Sequence, residues 1–227
     1  MNRHISEQYD TELSDARNRL MEMGGMVEQL LSDASEALTT HDPDLAEQVK
    51  VADKRVNQLE VDIDEQCVNI IARRQPAASD LRTLISIMKA STDLERIGDE
   101  AGRVAKMAIR LSDLEYPADQ YSDFRHIAAL SSEIVAKSLN AFARLDTEEA
   151  LRVIASDEAI DDAYDELVRR RSSDMRKDPN GIERDMSLIW AARSLERIGD
   201  HAKNISEYVV YLVRGQDVRH QGKQPAL

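Results

Sequence analysis

The sequence is short of everything that punctuates or cross-links a chain. A single cysteine, Cys67, in 227 residues excludes an internal disulfide and suits a cytoplasmic location. With Ile63 and Ile70 nearby, its thiol is expected to be a small buried hydrophobe. Eight glycines, five prolines and 4% aromatics leave little strand-forming material, and no stretch alternates with period two. The longest apolar run is Tyr208–Val213, far below the roughly 20 residues of a membrane span. Residues 1–15 are polar, so no signal peptide is expected. Positive charge is scarce too. Lys and Arg number 30 against 43 Asp and Glu, for a formal net charge of −13, and no basic run exceeds Arg169–Arg171. Phosphate backbones and anionic membrane surfaces repel such a chain, which sets aside nucleic acid and membrane insertion. Nucleophile motifs and glycine-rich phosphate loops are missing.

What is abundant is Ala, Leu, Glu, Arg and Ile, a composition that favours helix. Pro43, Pro76, Pro117 and Pro179 each follow a long stretch at helical spacing, and Pro225 lies in the tail. Capping residues complete the joints: Asp44 with Glu47, Asp146 with Glu149, and Asn180 with Glu183. The pattern predicts an all-α protein of six long antiparallel helices, at about 6–40, 44–74, 78–114, 119–145, 147–177 and 181–214. Gly24–Gly25 interrupts the first as either a kink or a close-packing point.

Leu94-Glu95-Arg96-Ile97-Gly98-Asp99 recurs unchanged as Leu195-Glu196-Arg197-Ile198-Gly199-Asp200, mid-way along the third and sixth helices. A fainter match pairs Asp53-x-x-Val56-Asn57 with Asp157-x-x-Ile160-Asp161. The chain therefore reads as two pseudo-symmetric three-helix bundles, residues 1–116 and 117–215, with a tail over 216–227. Packing alone would retain Leu, Ile and Gly; it gives no reason to retain Glu, Arg and Asp.

Glu95 and Asp99 share one helical face, as do Glu196 with Asp200 and Asp157 with Asp161, and Glu207 lies further along the same line. Like charges at this spacing repel, so each pair asks for a compensating cation. Arg193 and Lys203 are within pairing distance in the second half only. The other candidate is a metal ion: all-oxygen sets suit Mg²⁺, Mn²⁺, Ca²⁺ or iron. An acidic helical pair is otherwise a solvated face. His201, after Asp200, reads as a helix-surface residue, with a ligand as the alternative; His4, His41, His126 and His220 are expected near ends or loops, and Trp190 in the core or at an interface.

The doubled Leu-Glu-Arg-Ile-Gly-Asp, with His201-Ala202-Lys203-Asn204-Ile205 after the second copy, resembles the signature of the PhoU family. So do Ile71-Ala72-Arg73-Arg74-Gln75-Pro76-Ala77 and the run from Tyr211 to His220. The resemblance spans about Ser6 to His220. It implies two three-helix bundles, a homodimer, and a cytoplasmic, non-enzymatic negative regulator of the phosphate regulon. Its implied partners are the phosphate-sensing histidine kinase and the ATPase of the phosphate ABC transporter. It also implies iron or zinc clusters, with Glu95, Asp99, Glu196, Asp200, Asp157, Asp161 and Asp53 as ligands, where Asn57 replaces an acid and weakens the first site. The rival reading is a carboxylate-bridged di-metal oxidase or storage bundle, which needs Glu-x-x-His; here only Asp123-x-x-His126 comes close.

Overall fold

The computed structural model describes residues 2–112 and 121–218, with side chains from Glu7 onward. The joint expected at Pro117, the tail beyond residue 218 with His220, and the side chain of His4 lie outside the described residues. Among the described residues there is helix and no strand.

The elements are α1 (Asn2–Thr40), α2 (Pro43–Arg74), α3 (Ala78–Leu111), α4 (Ser122–Arg144), α5 (Thr147–Ser156), α6 (Glu158–Lys177) and α7 (Ile182–Arg214). The fifth rod expected over 147–177 is two helices, broken at Asp157, whose φ −57° and ψ −38° stay in the right-handed helical region. One residue drops out of the hydrogen-bond ladder there, and Asp157 supplies the carbonyl that Ile160 N–H reaches.

Two starts follow Asp-Pro pairs, that of α2 and that of the 3-10 turn ahead of α7. Asp42, extended before Pro43, accepts from Leu45 N–H, and Asp178 before Pro179 accepts from Asn180 N–H in the 3-10 turn Pro179–Gly181. These two acids, not Asp44 and Asn180, are the caps. Proline disfavours helical backbone in the residue before it and has no N–H to lose at the first helical position. Asp146 caps α5 as expected, accepting from Glu148 and Glu149 N–H. α7 ends on Gly215, whose φ of +67° closes the last turn.

α1, α2 and α3 pack on one another, as do α4 with α5 and α6, and all three of these with α7. The most extensive contact joins α3 to α7, and α1 meets α4 beside it. Gly24 makes that second crossing possible: it is a close-packing point with Leu139 of α4, within an unbroken α1. Because α3 and α7 touch both their own half and the other, they carry more buried residues than any other described helix, and each keeps one exposed stripe. At one end His41 Nδ1 lies 3.3 Å from the Leu111 carbonyl and its Nε2 3.2 Å from the Tyr121 hydroxyl, tying α1 to α3 and to the start of α4.

Candidate functional site

Both copies of the repeated hexapeptide fall on the central helices α3 and α7, each against the second rod of its own half. A Cβ on Gly98 would stand 2.9 Å from Asp53 Oδ1 of α2. One on Gly199 would stand 2.9 Å from Ile160 Cδ1 and 3.2 Å from Asp157 Oδ1. Glycine therefore keeps the space into which a neighbouring carboxylate leans, and the acids of two helices meet around it.

In the first half, burial and then the Asp99 charge push the Asp53 carboxyl above its ordinary pKa. Glu95 is raised by burial, then by Asp99, Glu60 and Asp53, with Arg96 opposing. Glu60, two turns along the same face of α2 from Asp53, is a member that the repeat does not reveal, because its second-half counterpart is Tyr164. Asp53 Oδ1 and Asn57 Oδ1 are buried and have no hydrogen-bond partner.

In the second half, Asp157 is 5% exposed and accepts a 2.8 Å hydrogen bond from Lys203 Nζ. Burial raises the Glu196 pKa, Arg193 opposes, and Asp200, Asp161 and Asp157 add to the rise. Arg193 Nη1 donates to Glu196 Oε1 at 2.6 Å. Asp161 is raised by burial, then by Asp157 and Asp200, against Lys203. Asp161 and Asp200 are exposed.

The structure thus gathers Asp53, Glu95 and Asp99 in one half, and Asp157, Asp161, Glu196 and Asp200 in the other. Within each gathering the acids feel one another's charge. Among the described residues no three His, Cys, Asp or Glu side chains are close enough to hold a metal ion as they stand. The donors nevertheless suit a hard cation: they are carboxylates, they repel one another, and one buried oxygen of Asp53 lacks a partner.

One expectation changes, for His201, and another is narrowed, for Trp190, which leaves the core but not the interface alternative. His201 is not a surface residue: its Nδ1 lies 2.8 Å from Oδ1 of Asp93, a carboxylate 2% exposed. Asn204 and the Tyr208 hydroxyl also donate to Asp93, at 3.1 and 2.8 Å. Trp190 is outside the core, 46% exposed, with the Arg110 guanidinium 5.4 Å from its ring centroid. Glu100, 2% exposed, takes Arg197 across the same α3–α7 seam at 2.8 Å and Arg103 along its own helix. Asp93 and Glu100 escaped the sequence reading, although acids seven apart beside Ile97 and Val104 interrupt what is otherwise a second apolar stripe.

These features define a duplicated all-helical bundle that carries one carboxylate turn per half on its two central helices. Comparison with known proteins narrows the class. The family model described as PhoU domain matches residues 20–108 and again 124–209. The chain belongs to the PhoU family. It is 51% identical over 219 residues to the phosphate-specific transport system accessory protein PhoU homolog of Pseudomonas aeruginosa, covering 96% of this chain and 90% of that one. It is 44% identical over 225 residues to the accessory protein PhoU of Escherichia coli, covering 98% and 92%. The crystal structure of PhoU from Pseudomonas aeruginosa superposes with a TM-score of 0.89 at 50% identity, over 92% of this chain and 100% of that one.

Proposed function

We propose that the chain is a non-enzymatic accessory regulator of phosphate uptake, acting in the cytoplasm as a homodimer. It meets the ATPase of the phosphate ABC transporter and the phosphate-sensing histidine kinase, and keeps the kinase from activating the phosphate regulon when phosphate is plentiful. The observation that carries this reading is the family match in both halves, with relatives named as phosphate-specific transport accessory proteins aligned over nearly the whole chain. The fold supports it: among the described residues no helix is long and apolar enough to cross a membrane. Long rigid rods present a broad, acidic surface that selects complementary partners. The division into repeats at 1–116 and 117–215 belongs to the same reading.

Deletion of the gene is expected to raise phosphate-starvation gene expression in phosphate-rich medium, and complementation to restore it; unchanged expression would argue against the reading. The metal part is separate. Iron or zinc clusters, or Mg²⁺ or Mn²⁺, are held by the carboxylates around Gly98 and Gly199, where an ion would neutralise their repulsion and brace two helices. Elemental analysis after reconstitution tests it, and metal-free protein would remove it.

A further inference from the structure

The chain has a net charge of −13, yet the outer edge of its two central helices is basic. From Asp80 to Leu111, every residue of α3 that is exposed rather than half-buried is a cation: Arg96, Arg103, Lys106 and Arg110. Arg96, Arg103 and Arg110 are seven apart, so they stand on one line of the helix. Lys89, over the Tyr208 ring, continues that line. α7 runs antiparallel alongside and adds the exposed Trp190, Arg193 and Arg197. The two rows meet: the Arg110 guanidinium lies 5.4 Å from the Trp190 ring centroid. Among the described residues the buried Glu100 takes both Arg103 and Arg197, Glu196 takes Arg193, and Glu183 takes Arg110. Arg96 and Lys106 have no ion pair among those residues. Asp99 acts on Asp53 of α2 and Asp200 on Asp161 of α6, so acids border the cations on each side.

We propose that the exposed groove between α3 and α7 is the docking surface for an acidic helix of a partner protein, whose carboxylates meet the arginine line while an apolar side chain seats on Trp190. It rests on the accessory-regulator reading for the existence of a partner and assigns that partner a surface. The shape favours a helix. Packed helices lie about 8–10 Å apart, so the groove between two takes one further rod. Arg96 to Arg110 spans roughly 21 Å, about four turns, and acids at the same seven-residue step face each arginine. A bilayer or a DNA duplex would lay its charge over the bordering acids as well, and they repel it. Trp and Arg are the side chains that most often anchor interfaces, and stacking on Arg110 orders this ring beforehand.

Trp190 is the single tryptophan of the chain, so its emission reports occupancy of the groove. The full chain is titrated with a synthetic helix of about 20 residues that carries Glu at every seventh position and Leu beside it. A saturable emission change is expected, weakening as ionic strength rises from about 0.01 M to about 0.15 M. Arg96→Glu with Lys106→Glu is expected to weaken binding on the order of tenfold. Lys54→Glu with Arg55→Glu, the same charge change at exposed positions of α2, is expected to leave it within about twofold. Circular dichroism melts check folding, and Lys106→Glu alone decides should the first pair not fold. No response to the peptide, equal loss in both pairs, or a tighter response to anionic vesicles or to a DNA duplex overturns the inference. In cells, Arg96→Glu with Lys106→Glu is expected to raise phosphate-starvation gene expression as deletion does. Normal repression by that variant removes the groove and leaves the accessory reading standing.

Discussion

Gly24 and Gly25 sit side by side in the middle of α1, and their surroundings differ completely. A Cβ at Gly24 would lie 2.7 Å from Cδ2 and 3.0 Å from Cδ1 of Leu139, whereas one at Gly25 meets nothing within 4 Å. Alanine is the better helix former by about 1 kcal/mol, so Gly25→Ala is expected to stabilise by up to that amount. Gly24→Ala gains the same but must displace a core leucine at about 1–3 kcal/mol, for a net loss of up to about 2. Urea midpoints read both, and equal shifts would rule out the close crossing. Cys67 makes a second residue-level case. Burial, then the Asp64 charge, pushes its thiol from 9.0 up to about 12, and burial with Asp80 likewise takes the Tyr9 phenol from 10.0 to about 12. Both groups are essentially neutral in either state below about pH 8. As pH rises from there towards 12 the unfolded chain ionises first and stability falls. At pH 8 a thiol reagent is expected to label Cys67 only as fast as the protein unfolds; rapid stoichiometric labelling of the native chain would contradict this.

At the scale of the helix, the caps are the sharpest test of what orders the joints. Asp42→Ala and Asp178→Ala are each expected to cost about 0.5–2 kcal/mol, whereas Asp44→Ala and Asn180→Ala stay within a few tenths, measured by denaturant unfolding. The rods themselves were legible in the sequence, because apolar residues at spacings of three and four need only local geometry. Their capping acids were placed two residues late, at Asp44 and Asn180 in place of Asp42 and Asp178, since counting forward to a glutamate overlooks how Asp-Pro shapes the backbone. The break at Asp157 left no mark, as its φ and ψ remain helical. The paired acids of α3 and α7 could be read too, because each pair lies on one helix. Glu60 could not, nor the grip of Asp93 on His201. Those depend on which helix faces which, and a pattern within one rod does not encode its neighbour.

Over the whole molecule, the seam between α3 and α7 holds two buried acids, Asp93 and Glu100, with the buried Ile97 between them. Asp93→Ala would leave His201, Asn204 and Tyr208 without their shared acceptor, and a loss on the order of 3 kcal/mol is expected on chemical denaturation. Asp93→Asn, which keeps the shape and one acceptor oxygen, should lose less. If both fall within about 0.5 kcal/mol of the parent protein, the seam is held by its apolar residues alone.

The seam also fixes the history of the fold. In the aligned repeats Ser194 stands where Asp93 does, and Glu100, Arg103 and Met107 stand where His201, Asn204 and Tyr208 do. A protein assembled from two first halves would set aspartate against glutamate across its middle. One assembled from two second halves would offer three donors a lone serine. The copies have ceased to be interchangeable, and what began as like meeting like has become a pairing of opposites that neither copy can rebuild with its own twin.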